Sequence, residues 1–182
     1  MRLFWQRGYS EVSLSDLLSE LGIGRQSFYN AFGSKSKLFD AAIDRYVDRY
    51  QSQFLRLLEK KEGSHHDRLL QFLTAWERAA GSDDDHGCLL VNCLDDLPGL
   101  PTASQRRISS AVQRWEQTVA RTIASAAEQG EINIRLTPKK LARILVATGN
   151  GLMLFARNRD HRRSAKGLLT QTYLALVDDV AN

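Results

Sequence analysis

Apolar residues recur along most of the chain at intervals of three and four, which is the spacing of one buried face of an α-helix. Stretches in which apolar and polar residues alternate, as in a half-buried strand, are few. Glycine or proline separates most of the periodic segments. The pattern predicts an all-α protein with helices over about 2–7, 13–21, 25–31, 34–61, 64–80, 86–96, 102–129, 137–158 and 164–181.

Residues with known capping preferences mark the ends of several predicted helices. Ser13 and Asp16 have the spacing of a capping box, in which side chain and backbone groups satisfy each other in both directions. Thr137 followed by Pro138 is typical of an N-cap residue and the first helical position. Gly22 is typical of a helix end. These signals support the helix boundaries independently of the hydrophobic pattern.

Two short helices joined by a turn centred on Gly22 form a helix-turn-helix pattern within residues 13–32. Lys35 follows at the start of the next helix, where backbone N–H groups and the helix dipole suit a phosphate. The outward residues of the second short helix are hydrogen-bonding groups sized for base edges and phosphates. They are Arg25, Gln26, Ser27, Tyr29 and Asn30.

Composition and charge narrow the class of protein. Hydrophobic residues make up 43% of the chain and charged residues 25%, which is typical of a globular protein. No apolar run approaches the roughly 20 residues of a membrane-spanning helix, and no signal peptide is visible, so we expect a cytoplasmic protein without a membrane partner. The net charge of +4 does not by itself indicate nucleic-acid binding. The local charge does, because Gly22 to Phe39 contains Arg25, Lys35 and Lys37 and no acidic residue.

The two cysteines, Cys88 and Cys93, lie five residues apart. On a helix this spacing turns the two side chains about 140° from each other, so it favours neither a disulfide nor a two-thiol metal site. The acidic run at 83–85 with His86 and Cys88 is better interpreted as favourable charge at a helix N-terminus than as a metal site. The chain also lacks a Gly-rich phosphate loop, a zinc-protease motif and a nucleophile elbow, so we expect no enzymatic activity and no cofactor.

The segments Phe4-Trp-Gln-Arg-Gly-Tyr9, Leu14-Ser-Asp-Leu-Leu18 and Ser27-Phe-Tyr-Asn-Ala-Phe-Gly-Ser-Lys35 resemble the TetR/AcrR family of transcriptional regulators, over about residues 3–46. The resemblance implies a three-helix DNA-binding head, residues 1–46, and a larger helical ligand-binding and dimerisation domain, residues 47–182. It implies that the outward residues of the second short helix read DNA and that Ser13 and Lys35 contact phosphates. The first helix is shorter than is usual in the family.

The function that the resemblance implies is that of a repressor. Such a protein binds a near-palindromic double-stranded DNA operator as a homodimer, and a small-molecule inducer releases it. One alternative is a ligand-binding protein with impaired DNA binding, because the first helix is short. Another is a thiol-based sensor of electrophiles through Cys88, since the segment 86–92 resembles one found in a subgroup of the family.

Aromatic and aliphatic residues of the larger domain are the candidate lining of an inducer cavity, although they could equally fill a dry core. The candidates are Phe72, Trp76, Cys88, Leu90, Trp115, Val119, Leu152 and Phe155. For Cys88, the N-terminal end of a helix would lower the thiol pKa, whereas acidic neighbours and burial would raise it. The sequence does not rank these effects.

Two apolar stripes on the last two predicted helices are the candidate dimer interface, which would form a four-helix bundle across the two chains. Small residues at Ala147, Gly149 and Gly151 would allow the helices to approach closely. The stripes comprise Leu141, Ile144, Leu145, Thr148, Leu152 and Phe155 on one helix and Leu169, Tyr173, Leu176 and Val180 on the other.

Overall fold

The computed structural model describes residues 1–82, 87–94, 96–155, 157–158 and 166–179. In chain order, these residues begin with α1 Arg2–Glu11, α2 Leu14–Leu21, α3 Arg25–Phe32 and α4 Lys35–Tyr46. A π-helical turn, Val47–Gln51, leads into α5 Ser52–Glu59 and α6 His65–Ala80. The remaining elements are α7 Leu89–Asn92, the 3₁₀ turn Leu97–Gly99, α8 Thr102–Glu128, β1 Ile132–Ile134, α9 Pro138–Phe155, α10 Leu168–Leu176 and β2 Val177–Asp179.

The second and third helices form where the local signals predict them. Ser13 caps α2 in a complete capping box with Asp16, and Gly22 ends that helix in the left-handed conformation. The first helix extends further than the pattern predicts. Gly8, the predicted end, adopts φ +78° and bends the chain, but helical structure resumes and reaches Glu11. Its left-handed backbone explains both the break and the presence of glycine.

The single long helix predicted over 34–61 is interrupted. After α4, residues Val47–Gln51 widen into the π-helical turn, in which the N–H of Ser52 donates to the carbonyl oxygen of Val47. The wider turn holds one additional residue per turn and so changes which side chains face inward. As a result Gln51, a polar residue, is buried, and its Nε2 donates to the carbonyl oxygen of Ala111 on α8 at 3.1 Å.

A hydrophobic cluster between α5, α6, α8, α9 and α10 forms the core of the larger domain. Tyr173 of α10 is fully buried, and its hydroxyl lies 3.0 Å from Nδ1 of His66 on α6. Glu77 of α6 accepts the backbone N–H of Thr170 near the start of α10 at 2.7 Å. These contacts attach the last helix to the domain core. The fully buried aliphatic and aromatic residues of the cluster include Leu69, Phe72, Leu73, Val119, Ile123, Leu141, Leu145 and Leu169.

A second cluster is shared by the first helices and the larger domain. Phe4, Phe28, Phe39 and Ile43 of the head are fully buried in it. The larger domain contributes the buried side chains of Leu89, Leu90, Cys93, Leu100, Ile108 and Ala111. Polar contacts reinforce the same seam: Asp40 of α4 accepts from the hydroxyl of Ser104 at 2.5 Å, and Asp44 pairs with Arg107 at 3.1 Å. The head therefore packs directly on α7 and α8.

The all-α prediction is confirmed, with the addition of one short antiparallel strand pair. β1 and β2 pair in the register Ile132 with Asp179 and Ile134 with Val177. Residues 177–179, predicted as the end of the last helix, are thus extended, because they complete backbone hydrogen bonds to β1. The helix predicted over 86–96 contracts to Leu89–Asn92 followed by a 3₁₀ turn. The acidic run at 83–85 and His86 lie outside the described residues.

The predicted dimer stripes need correction, because half of their members are buried within the protomer. Leu141, Leu145, Leu152, Leu169 and Tyr173 all lie in the core of the larger domain. Ile144 and Phe155 of the predicted stripe are exposed, and the same two helices also expose Leu154, Leu168 and Leu174. Val180 lies outside the described residues.

Gly149 allows close contact inside the protomer. A Cβ placed on it would lie 2.5 Å from the distal ring of Trp76, so α9 and α6 touch there. Gly151, two residues on, has nothing within 4 Å of the same position. Within the described residues, no helix is long and apolar enough to cross a membrane.

We predict that Gly149→Ala lowers the free energy of unfolding by about 1–3 kcal/mol, because the added methyl group overpacks against the Trp76 ring. At an unconstrained helical position the same change would raise stability by up to about 1 kcal/mol. Chemical denaturation measures the effect. In the background of Trp76→Phe, whose shorter ring leaves space, the same substitution should cost less. If Gly149→Ala lowers the free energy of unfolding equally in the wild-type and Trp76→Phe proteins, the contact between Gly149 and Trp76 does not limit how closely α9 and α6 pack.

Candidate nucleic-acid interface and cavity

The outward face of α3 consists of polar side chains. Arg25, Gln26, Ser27 and Asn30 are exposed, and Tyr29 is 43% exposed although its ring packs edge-on against Phe28. The buried Phe28 on the opposite face fixes the helix on the head. Nε2 of Gln26 donates to Oδ1 of Asn30 at 3.0 Å, one helical turn away. The five side chains predicted to read DNA therefore share one accessible surface.

Ser13 lies at the start of α2, and its hydroxyl is engaged in capping. It accepts the backbone N–H of Asp16 at 3.1 Å and donates to the carboxylate of the same residue. Hydrogen bonds from Ser13 hold the pKa of Asp16 at about 2, with a further contribution from Arg7 of α1. The side chains of Arg7 and Asp16 pair at 3.2 Å, so this network also joins α1 to α2.

Lys35 occupies the first residue of α4, after the N-cap Ser34. Its ammonium group lies 4.3 Å from the centre of the Tyr9 ring, within cation–π range. Burial lowers the pKa of Lys35, and the carboxylate of Asp16 partly opposes this. Lys37, in the first turn of the same helix, is exposed, and its aliphatic chain lies beside Gly33. The sequence analysis counted Lys37 in the local positive charge but named only Lys35 as a phosphate contact; Lys37 is a second cation at the same helix start.

A cavity of about 250 Å³ lies between the head and the larger domain. Four of the residues predicted to line it are present in its wall: Trp76, Cys88, Leu90 and Trp115. Phe72, Val119 and Leu152 are instead buried in the hydrophobic core, where the Phe72 ring packs at an angle against both tryptophans. Phe155 is 63% exposed at the surface. These four residues are not part of the wall.

The head and the helix that follows it contribute wall residues that the sequence analysis missed. Trp5 comes from α1, Tyr46 from α4, Tyr50 and Gln51 from the π-helical turn, and Phe54 from α5. One signal could have revealed part of this set, because Tyr46, Tyr50 and Phe54 recur every four residues along one helical face. No comparable signal identifies Trp5, whose position depends on how the head packs.

Among the described residues, three hydrogen bonds join the head to the stretch from Gly87 to Asp96. Nε1 of Trp5 donates to the carbonyl oxygen of Gly87 at 3.1 Å. The hydroxyl of Tyr46 donates to Sγ of Cys88 at 3.3 Å, and the hydroxyl of Ser10 donates to Asp96 at 2.7 Å. Gly87 has φ +63°, and a Cβ there would lie 3.0 Å from the carbonyl oxygen of Met153 on α9. The head, the cavity wall and α9 thus meet at this glycine.

Two families match the chain. The family described as "Tetracyclin repressor-like, C-terminal domain" matches residues 66–171, and the family "Bacterial regulatory proteins, tetR family" matches residues 1–42. The first match alone covers more than half of the chain.

Individual relatives support the same assignment. The HTH-type transcriptional repressor ComR of Escherichia coli (strain K12) is 29% identical over 158 residues, covering 86% of this chain and 75% of ComR. The reduced form of E. coli NemR has a similar structure, with a TM-score of 0.87 and 21% identity over 100% of this chain and 94% of NemR. A cysteine variant of the TetR family regulator CifR, complexed with 26 bp operator DNA, has a TM-score of 0.80 and 25% identity over 95% of this chain and 91% of that one.

Both cysteines are free thiols. Burial raises the pKa of Cys88, and this outweighs the hydrogen bonds from Tyr46 and from the backbone N–H groups of Val91 and Leu90, which lower it. Burial likewise raises the pKa of Cys93 to about 12. The N-terminal position of Cys88 at α7 is as expected, but burial dominates. Both thiols are therefore protonated at neutral pH and are weak nucleophiles.

We predict that iodoacetamide alkylates native Cys88 slowly at pH 7 and that the rate continues to rise above pH 8.5, the ordinary thiol pKa. The reason is that a raised pKa keeps the reactive thiolate scarce until higher pH. Mass spectrometry of Cys93→Ser protein follows Cys88 alone, and the denatured protein supplies the unshifted profile. A native rate that levels off below pH 8.5 would contradict the raised pKa.

Proposed function

Because the chain belongs to the TetR family of transcriptional regulators, we propose that it is a repressor that binds a near-palindromic DNA operator as a homodimer and is released by a small molecule. The exposed polar face of α3 is the observation that carries the proposal. Its arginine, amide, hydroxyl and phenol groups match the donors and acceptors of base edges. We place the DNA-binding head at residues 1–46 and the ligand-binding and dimerisation domain at 47–182.

The contacts around α3 support a head that is ready to bind DNA. Phe28 is buried beneath the reading face, and Phe4 and Trp5 of α1 are buried in the shared cluster. Short as it is, α1 thus braces the head, which weighs against the alternative of impaired DNA binding. Lys35 and Lys37 at the start of α4 supply positive charge where a phosphate can also meet backbone N–H groups. In this proposal α3 enters the major groove and the α4 start contacts the backbone.

A second copy of the chain is the proposed occupant of the exposed apolar face on α9 and α10. Ile144, Leu154 and Phe155 lie on the outer side of α9, and Leu168 and Leu174 lie on α10. Large apolar side chains gathered on one surface are typical of a protein–protein interface. The symmetric pairing of this face would place two reading heads on successive turns of one operator.

The cavity explains how a ligand could control the heads. Its wall combines Trp5 and Tyr46 of the head with Trp76 and Trp115 of the larger domain. A ligand that changes the packing between the head residues and the residues of the larger domain would move the head directly, because both sets of residues contact the ligand. Allostery then requires only that ligand and DNA favour different head positions.

Electrophile sensing through Cys88 is a second candidate function, because Cys88 lies in the wall of the cavity. The raised pKa of its thiol makes it slow to react, which favours a reversible ligand over covalent modification. An electrophile that first binds in the cavity could still reach the sulfur by proximity. Release of DNA that persists in Cys88→Ser protein would support the reversible ligand.

We predict that Tyr29→Ala weakens operator binding by about ten- to hundredfold, because it removes a base-reading side chain. Arg25→Ala and Lys35→Ala should each reduce the slope of log affinity against log salt by about one for every phosphate that the side chain neutralises in the wild-type complex. Titration of DNA from upstream of the gene, at several salt concentrations, measures both effects.

Arg135→Ala is the matched control for these variants, since this side chain is 83% exposed on the larger domain. It should leave both the affinity and the salt slope unchanged. Unchanged binding in all three head variants, with their melting temperatures preserved, would contradict the assignment of α3 and α4.

We predict that Phe155→Glu converts the homodimer to a monomer, because it places a charge in the middle of an apolar interface. Sedimentation at micromolar concentration measures the change. Leu94→Glu, at an exposed apolar residue outside the α9 and α10 face, is the control and should remain dimeric. If the wild-type protein sediments as a monomer, or if Phe155→Glu remains a dimer, this face is not the interface.

A further inference from the structure

We infer that the effector is a compact, uncharged, planar aromatic compound that carries both a hydrogen-bond acceptor and a hydrogen-bond donor. The inference rests on the proposed function and specifies the ligand of the same cavity. The volume of about 250 Å³ sets the size, since it lies just below the range of about 300–1,000 Å³ that accommodates drug-sized ligands. A molecule of one or two fused rings fits this space.

Aromatic side chains form two groups in the cavity wall. On the side of the head, the ring of Trp5 packs edge-on against Tyr46 and Tyr50, with centres 5.0 and 5.1 Å apart. In the larger domain, Trp76 and Trp115 pack edge-on at 5.0 Å. Ring faces and edges on both sides favour a flat π-system over a saturated one of equal size, because stacked and edge-on pairs are attractive beyond their buried area.

The charge of the ligand follows from the polarity of the wall. Among the described residues that line the cavity, none is aspartate, glutamate, lysine, arginine or histidine. An anion would therefore lose its hydration without gaining a cationic partner there. A cation would be attracted to the faces of the aromatic rings. This attraction offsets only part of the free-energy cost of desolvating the cation, since no described carboxylate lines the cavity. A neutral ligand has no such cost.

Two polar atoms in wall residues indicate where a ligand would form hydrogen bonds. Oε1 of Gln51 and Nε1 of Trp115 are buried and have no hydrogen-bond partner among the described residues. The two side chains are only 6% and 8% exposed, so solvent does not readily satisfy them. The hydrogen bond from Nε2 of Gln51 to the carbonyl oxygen of Ala111 fixes the orientation of the amide. A flipped amide would lose this bond, so Oε1 keeps its present position. A buried donor and a buried acceptor left unpaired are costly, and pairing them stabilises the complex.

A ligand that both accepts and donates can complete this pair. Neither atom is exposed to the cavity in this structure. Once the wall adjusts around the bound ring, the ligand's acceptor would take the N–H of Trp115 and its donor would meet Oε1 of Gln51. Primary aromatic amides carry both groups on one carbon. They are therefore suitable probes, together with analogues that change one property at a time.

The test uses the full chain and four probes: 2-naphthamide, the anion 2-naphthoate, the cation 2-naphthylmethylammonium and the saturated decahydro-2-naphthamide. Melting temperature and quenching of tryptophan fluorescence report binding. We expect 2-naphthamide to raise the melting temperature and to bind at least about tenfold more tightly than each of the other three. Tighter binding by the anion, the cation or the saturated amide would overturn the inference, as would no binding by any of them at millimolar concentration.

Trp115→Phe tests the hydrogen bond, because it keeps an aromatic ring and removes the N–H. It should weaken binding of 2-naphthamide by about three- to tenfold and leave that of 2-methylnaphthalene, which has no acceptor, unchanged. Trp76→Phe is the matched control, since it makes the same substitution in the same wall and leaves Nε1 of Trp115 in place. Equal weakening of 2-naphthamide in the two variants would contradict a specific role for that N–H.

Operator binding in the absence of probes separates this inference from the proposed function. If the protein binds operator DNA but prefers 2-naphthoate, the proposed function stands and the inferred ligand class is wrong. If the protein binds 2-naphthamide but no operator DNA, the inferred ligand class stands and the proposed repressor function is wrong.

Discussion

The head of this protein does not complete a hydrophobic core by itself. Its largest buried rings, Phe4, Phe28 and Phe39, belong to a cluster that closes only when α7 and α8 contribute Leu89, Leu90 and Ile108. A unit of about forty residues buries too little apolar surface to be stable alone. The position of the reading helix therefore depends on the packing of the larger domain. The same dependence makes DNA binding sensitive to events inside that domain.

The cavity lies along this seam, and its location follows from how the seam is built. Aromatic rings from the two sides line the space there without filling it. Beside the shared hydrophobic cluster, the contacts at the cavity itself include directional hydrogen bonds, from Trp5 to the carbonyl of Gly87 and from Tyr46 to the thiol of Cys88. Such hydrogen bonds contribute little net free energy compared with apolar burial, so they can be exchanged for contacts with a ligand. A boundary with side chains filling the cavity as well would be more stable but would leave no space for a ligand.

Local signals in the sequence predict the head well. The capping box of Ser13 and Asp16 and the left-handed Gly22 act within a few residues, so they hold whatever the tertiary context. The lining of the cavity was predicted only in part, because burial on a helix does not reveal whether a side chain faces a packed core or an open space. Phe72 and Trp76 lie one turn apart and differ in just this respect. Trp5 was missed because its partners lie more than forty residues away.

The π-helical turn at Val47–Gln51 carries a consequence for how such proteins diverge. Each residue of a helix advances the chain by about 100° around the axis. The wider turn takes up one additional residue, so the helix after it keeps its direction around the axis. Deletion of that residue would restore a regular helix and leave the orientation of the reading helix unchanged. Deletion of a residue from the regular turns of α4 or α5 would instead rotate the head relative to the larger domain by roughly that angle. The π-helical turn is therefore the place where the length of this connection can change without redirecting the surface that contacts DNA.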